Sequence, residues 1–171
     1  MPSSREIEQL LQIVDQAYDR KSWHGTNLKG SIRRVGAAQA AWRLEPGHHN
    51  IWELVVHAAY WKYAARRRLL GEKRGSFTLD GSNWFARPAP GREDEASWRA
   101  DVALLGREHR LLREAIAAFP ARELNRRIGG AVTALALISG VAAHDLYHAG
   151  QIQLLKKQSR RAPAGDGRHV V

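Results

Sequence analysis

The sequence contains no cysteine among its 171 residues. This absence excludes disulfide bonds, thiolate nucleophiles and zinc sites with cysteine ligands, so a metal held by side chains has to use His, Asp, Glu or neutral oxygen ligands. The sequence also lacks an apolar run of about 18 residues, which excludes a transmembrane helix. Its N-terminus lacks the apolar core of a secretory signal. From these absences we expect a cytoplasmic protein that does not associate with membranes.

Acidic residues are scarce relative to basic ones, since 17 Asp and Glu stand against 27 Lys and Arg and give a formal net charge of +10. Much of the excess lies at Arg66 to Arg68, towards a helix end, and from Lys156 onward. Cations near a helix C-terminus interact favourably with the helix dipole. The sequence has no recognised DNA-binding motif and no groove-like pattern of aromatic and basic residues. We therefore expect no specific nucleic-acid partner.

Convincing strand signals are missing as well, and four long segments carry apolar residues at helical spacing. Ser3 with Glu6 and Asn50 with Glu53 fit capping boxes at the first two helix starts. The four predicted helices begin near these residues: Ser3 or Ser4, Asn50, Glu95 and Thr133. The pattern predicts an all-α fold, a four-helix bundle with long connections.

The connections and the ends define the domain organisation. The link between the first two helices is about thirty residues long, and residues 72–94 form a long loop rich in Gly and Pro. Trp84 and Phe85 lie at the centre of that loop, and we favour packing over a core edge for them rather than a pocket lid. We predict one bundle domain over residues 1–157 and a mobile basic tail over residues 158–171.

Two histidines stand four residues apart in the fourth helix. At 3.6 residues per turn His144 and His148 lie one above the other on a single face. The same face carries Leu137, Leu155 and Gln151, so it is an apolar, core-directed stripe interrupted by two imidazoles and an amide. Imidazoles on adjacent turns can reach one metal ion, because neutral imidazole is a common ligand.

A third histidine, His57, lies in the middle of the nearly continuous apolar second helix. Two interpretations remain open for His57, His144 and His148: a shared metal ion, or core histidines paired with backbone, Tyr or Trp partners. Burying three unpaired imidazoles in an apolar bundle is costly, and a shared metal relieves that cost. We therefore favour the metal site.

A set of three histidines leaves the ion with its full +2 charge and at least one open coordination position, which is typical of catalytic rather than structural sites. Such an ion lowers the pKa of bound water, binds and deprotonates a thiol, or polarises a carbonyl group. Zinc, nickel and ferrous iron all suit imidazole ligands, and the sequence does not choose among them.

Weaker candidates for substrate contact surround these ligands. Glu53 stands one turn before His57, where it is able to orient an imidazole or act as a base, although the capping box is an equally good role. Tyr147 and Gln151 lie near the histidine pair on the fourth helix. His24, in the turn formed by residues 23–25, is placed to reach the mouth of the site. Ordinary packing or solvent contact is the competing interpretation for each.

Two further residues of the right chemistry are expected to lie outside the ligand set. His109 occupies an a/d-type seam position of the third helix, which favours a core or supporting histidine over a ligand. Asp145 lies about 100° around the helix from His144, so we expect it not to share the metal.

The same residues carry a family resemblance. The segment 51–61 (Ile-Trp-Glu-Leu-Val-Val-His-Ala-Ala-Tyr-Trp) followed far downstream by 144–152 (His-Asp-Leu-Tyr-His-Ala-Gly-Gln-Ile) resembles the DinB/YfiT-like superfamily. The Trp-His-Gly turn at 23–25 and Pro-Gly-His at 46–48 resemble it too, and the match spans about residues 5–157.

The resemblance implies a four-helix bundle in which His57, His144 and His148 hold a divalent metal, and the chain shows no departure from that three-histidine pattern. Related members include thiol-dependent S-transferases and isomerases that use low-molecular-weight thiols, and proteins described as metal-dependent hydrolases. Dimers are common among them. The resemblance therefore implies a homodimer that acts on a small-molecule substrate.

We expect a metal-dependent enzyme, with thiol-dependent S-transfer as the leading hypothesis and a low-molecular-weight thiol as its second cofactor. A metal-dependent hydrolase is one alternative. The other is a non-catalytic bundle whose metal is structural or regulatory, because the sequence offers no convincing acid/base pair.

Overall fold

The computed structural model describes residues 4–75, 77–89, 91–128 and 130–161. Within them the chain forms six α-helices: α1 (Arg5–Tyr18), α2 (Leu28–Ser31), α3 (Ala37–Ala41), α4 (Ile51–Leu70), α5 (Glu95–Ala117) and α6 (Ala134–Ser159). A 3-10 turn, Ala121–Glu123, lies between α5 and α6. The β-type pairing in these ranges is a single antiparallel bridge between Arg127 and Thr133. The predicted all-α fold is thus confirmed.

The four long helices pack as a bundle in which α4 contacts α5 and α6, and α1 contacts the same two helices. The order around the bundle is therefore α1, α5, α4, α6, with α1 opposite α4. Long connections before α4 and α5 leave this order undetermined by loop length. Its consequence for the site is that α4, which carries His57, and α6, which carries His144 and His148, are neighbours.

Two of the predicted helix starts hold as local hydrogen-bond motifs. Asn50 Oδ1 accepts from the backbone N–H of Glu53 at 2.8 Å, and Glu53 Oε2 accepts from the backbone N–H of Asn50 at 3.3 Å. Thr133 caps α6 by accepting from the N–H of Ala136 at 3.2 Å. Both motifs satisfy N–H groups that have no partner inside the helix.

The helices α1 and α5 also begin where the sequence predicts, after Ser4 and at Glu95. Ser4 caps α1, where its Oγ accepts from the N–H of Ile7 at 3.4 Å; the predicted capping box at Ser3 lies outside the described residues. At the other end Gln158 and Ser159 belong to α6. The helix thus ends two residues beyond residue 157, after which the tail was predicted; residues 162–171 lie outside the described residues, and the mobile tail stays a prediction.

The long connection between α4 and α5 has no helix or strand in its described part. Phe85 from its centre is buried and packs into the apolar cluster formed around α4 and the first half of α5. A second apolar cluster joins α1 to the first half of α6 and the second half of α5. Among the described residues, none of the helices combines the length and apolar character that crossing a bilayer requires.

Candidate metal site

Three histidine side chains from two adjacent helices converge on one point. The Nε2 atom of His144 lies 3.1 Å from the Nε2 atom of His57 and 3.0 Å from the Nε2 atom of His148. His57 and His148 are buried and His144 is half-buried. The predicted juxtaposition of α4 and α6 histidines is therefore present in the structure.

The hydrogen bonds on the far side of two rings fix their tautomers. His57 Nδ1 lies 2.8 Å from the backbone carbonyl oxygen of Asn83, and His148 Nδ1 lies 2.6 Å from Oε1 of Gln151. Both partners only accept, so each Nδ1 carries the proton and each Nε2 of the neutral ring presents a lone pair. The two lone pairs thus point towards the third imidazole, that of His144.

The three imidazole rings have one N–H too few to form both nitrogen–nitrogen contacts as hydrogen bonds. His144 Nε2 has at most one N–H to offer, so it satisfies one of the two neighbouring lone pairs and leaves the other facing a nitrogen at about 3 Å. A divalent cation among the three nitrogens resolves the conflict, because each then donates its lone pair to the ion. Orientation of a ligating imidazole by an acceptor at its other nitrogen is the usual arrangement in metal sites. The three histidines therefore fit a divalent metal ion.

The charge state of the cluster is also the one that metal binding needs. Burial lowers the pKa of His57 to about 4 and, together with the neighbouring imidazoles, lowers that of His144 to about 3. Burial also lowers the pKa of His148. All three rings are neutral at pH 7, and neutral imidazole is the ligating form.

Part of the long loop clamps His57 in a way that the sequence did not reveal. Asn83 has a left-handed backbone (φ 65°), which directs its carbonyl oxygen at His57, while its side-chain oxygen accepts from Trp61 Nε1 at 3.0 Å. The next residue, Trp84, stacks on His57 with 3.8 Å between ring centroids. Its other face stacks on His49 at 3.5 Å. Two imidazoles therefore enclose one indole. The predicted packing over a core edge holds for Phe85, whereas Trp84 also lines the adjacent cavity.

A cavity of about 460 Å³ opens beside His148. Besides His148, its wall includes two predicted candidates, Tyr147 and Gln151, and the loop tryptophan Trp84. Tyr147 is largely exposed, whereas Gln151 is tied to His148 through its side-chain oxygen. A smaller pocket of about 230 Å³ has His144 in its lining. The cluster is thus approachable from outside the core.

Glu53 does not face the cluster. Its carboxylate accepts from Arg43 at 2.5 and 2.9 Å and from the backbone N–H of Arg87 at 3.3 Å, and it lies 3.1 Å from His49 Nδ1. Burial alone raises the pKa of this carboxyl, but the hydrogen bonds lower it below its usual value. The structure therefore gives Glu53 the capping and ion-pair role and places its carboxylate on His49, the ring beneath Trp84.

The remaining candidates lie apart from the cluster. His24 is exposed and is absent from the described lining of both adjacent pockets. His109 is buried and stacks on Tyr18, with 3.7 Å between ring centroids. Asp145 lies outside the histidine cluster and pairs with Lys62.

The family model of the DinB superfamily matches residues 22–152 of the chain, a segment that contains all three histidines of the cluster and the loop above them. Comparisons with curated proteins and with solved structures give no match.

Proposed function

Because the chain belongs to the DinB superfamily, we propose that its three-histidine cluster binds one divalent metal ion and that the protein is a metal-dependent enzyme, with thiol-dependent S-transfer as its leading reaction. The observation that supports metal binding is the number of protons that the three imidazole rings can share. Lone pairs of His57 and His148 both face His144, and one proton cannot satisfy them.

Different residues have different roles in the proposed site. His57, His144 and His148 hold the ion, while Asn83 and Gln151 fix the orientation of two of these rings. When bound, the ion supplies Lewis acidity that favours the thiolate of a bound thiol or lowers the pKa of bound water. The neighbouring cavity then receives the small-molecule substrate beside His148.

Thiol transfer is favoured over hydrolysis by the state of the nearby carboxylates. Glu53 is engaged by Arg43 and His49, and Asp145 is engaged by Lys62. Among the described residues, His57, His144 and His148 form the potential metal-binding group, and it includes no carboxylate. A thiol that loses its proton on binding has no need of a base from the chain.

The same observation supports a second candidate, a non-catalytic bundle that the metal stabilises. Both candidates bind a metal ion, so the first experiment measures whether the protein binds one at all. After loading with Zn²⁺ or Ni²⁺ and desalting, elemental analysis of the wild type should give about one ion per chain. His144→Gln should lose the ion. The matched control His109→Gln removes a buried histidine outside the cluster and should retain it.

Turnover separates the enzyme from the metal-stabilised bundle. The loaded protein is mixed with a small thiol and a model electrophile, and formation of the thioether is followed. The enzyme hypothesis expects thioether formation that His144→Gln abolishes while the variant remains folded. A filled site without turnover for any of the common low-molecular-weight thiols, together with a much lower melting temperature of His144→Gln, favours the metal-stabilised bundle instead.

The proposal includes a cytoplasmic homodimer, as expected for a relative of this family, and no nucleic-acid partner. Light scattering after size-exclusion chromatography tests the dimer. Binding to duplex DNA at low salt tests the second statement, because binding through the basic surface would fall steeply as the salt concentration rises.

A further inference from the structure

The composition of its lining indicates which kind of molecule the cavity beside His148 accepts. Although 26% of all residues are charged, its described lining contains no Asp, Glu, Lys or Arg. Its apolar side chains include the four leucines Leu44, Leu54, Leu154 and Leu155, and its polar groups are imidazoles, amides and the hydroxyl of Tyr147.

Two polar side chains of this wall, Gln151 and His49, are already engaged, whereas the buried side-chain oxygen of Gln158 has no hydrogen-bond partner among the described residues. Gln151 accepts from His148 Nδ1 with its side-chain oxygen, and His49 is held by Glu53 and by the face of Trp84. The amide nitrogen of Gln151 makes no hydrogen bond with the described residues and stays available as a neutral donor. Trp84 has both faces covered by imidazoles and offers its edge to the cavity.

From this lining we infer that the cavity binds an uncharged, largely apolar small molecule, with its apolar body against Leu54, Leu154 and Leu155 and an acceptor atom towards Gln151. A charged ligand would lose its hydration here without gaining an ionic partner, which is costly. A volume of about 460 Å³ lies within the range of sites for small ligands.

The identification of this molecule as a substrate rests on the proposed function, whereas its binding does not need the metal. Low-molecular-weight thiols that carry carboxylate or ammonium groups do not suit this wall. In the proposed S-transfer reaction the cavity therefore receives the uncharged electrophile, and the charged part of the thiol lies elsewhere.

A pair of dyes tests the inference on metal-free protein treated with a chelator. Dansylamide is neutral, and 5-(dimethylamino)naphthalene-1-sulfonate carries the same ring system with one negative charge. The net charge of +10 attracts the sulfonate to the surface in general. A preference for the neutral dye therefore reports the cavity and not the overall charge. We expect saturable binding of dansylamide with a blue-shifted emission, roughly tenfold tighter than binding of the sulfonate.

Two variants on α6 locate the binding. Leu154 lines the cavity and is 57% exposed, and Leu135 is 40% exposed and is absent from the described lining. Leu154→Arg should weaken dansylamide binding by roughly fivefold or more and strengthen sulfonate binding, because it places a cation in the wall. Leu135→Arg should bind both dyes as the wild type does.

Three results would overturn the inference: equal or tighter binding of the sulfonate to the wild type, identical effects of the two arginine variants, or no saturable binding of dansylamide. None of them concerns the metal. A protein that prefers dansylamide but takes up no metal would refute the proposed function and leave the cavity inference standing. A protein that takes up metal but fails the dye test would refute the cavity inference and leave the proposed function standing.

Discussion

Lys62 of α4 and Asp145 of α6 form an ion pair in which the side chains are 0% and 1% exposed. The pair joins the two helices that carry the histidine cluster, and Asp145 directly follows His144 in the chain. The ammonium group of Lys62 also lies 5.1 Å from the ring centre of Tyr18, which connects the pair to α1. A buried charge of this kind is tolerated because its partner is fixed in place.

Removal of one partner should therefore be far more harmful than removal of both. We expect Lys62→Met to lower the free energy of unfolding by about 3–5 kcal/mol, because it leaves the carboxylate of Asp145 buried and unpaired. The double variant Lys62→Met/Asp145→Leu should recover most of the loss. Urea unfolding of the metal-free proteins measures both. A loss below about 1 kcal/mol in the single variant would contradict a buried, paired charge.

The clamp on His57 predicts a contrast between two substitutions at Asn83. Asn83→Gly keeps the backbone carbonyl and tolerates the positive φ, whereas the β-branched side chain of Asn83→Val is strained there. Both variants lose the side-chain hydrogen bond with Trp61. We expect Asn83→Val to bind metal roughly 10–100-fold more weakly and Asn83→Gly to remain close to the wild type. Competition with a chromophoric chelator measures the affinities, and equal losses in the two variants would refute the clamp.

Glu53 offers a test of a structural against a catalytic role. Glu53→Gln keeps the shape but removes the charge that Arg43 and His49 engage, so we expect a loss of about 1–3 kcal/mol in the free energy of unfolding. Metal content should not change, because the carboxylate does not reach the cluster. Elemental analysis beside thermal unfolding distinguishes the two effects. Loss of the metal from a folded variant would assign Glu53 to the site after all.

His109 predicts part of the response of stability to acid. Burial lowers its pKa from 6.5 to about 3, and nearby cations add to the effect. Its surroundings are the ring of Tyr18, the carboxylate of Asp15 and the cations Lys29, Lys62 and Arg113. Between pH 6.5 and 3 the unfolded chain takes up a proton at this site and the folded chain does not. The free energy of unfolding therefore falls as the pH falls, by up to about 1.4 kcal/mol per pH unit.

His109→Phe keeps an aromatic ring against Tyr18 and removes the titrating group. Urea unfolding at several pH values between 7 and about 4 should show a shallower loss of stability in the variant than in the wild type. Other groups titrate equally in both proteins, so the difference between the two curves isolates His109. Parallel curves would mean that His109 titrates normally in the folded protein.

Local patterns in the sequence were enough to predict the long helices and the three histidines that the structure brings together. The helical spacing of His144 and His148 placed both on one inward face, and the caps at Asn50 and Thr133 marked two helix starts. The position of His57 within an apolar helix indicated the third ring. These features depend on residues a few positions apart, which is the range over which helical periodicity carries information.

The features that the sequence did not reveal depend on contacts between distant segments. Trp84 and His49 meet across 35 positions, and Lys62 meets Asp145 across 83. Sequence periodicity does not indicate that a loop residue such as Trp84 stacks on a ring from a different segment of the chain. A signal was nevertheless present at Asn83, because Asn is among the few residues that adopt a left-handed backbone and often marks a turn of defined direction.

The neighbouring arrangement of α4 and α6 has a consequence for when the proposed metal site forms during synthesis. His57 and His144 are 87 positions apart, so the site forms only once α6 has been made and has packed on α4. Under the proposed function, a partly synthesised chain that stops before α6 would present one of the three proposed ligands and would hold an ion weakly. Metal uptake would then follow assembly of the bundle, and retention of the ion would mark a correctly assembled copy of the chain.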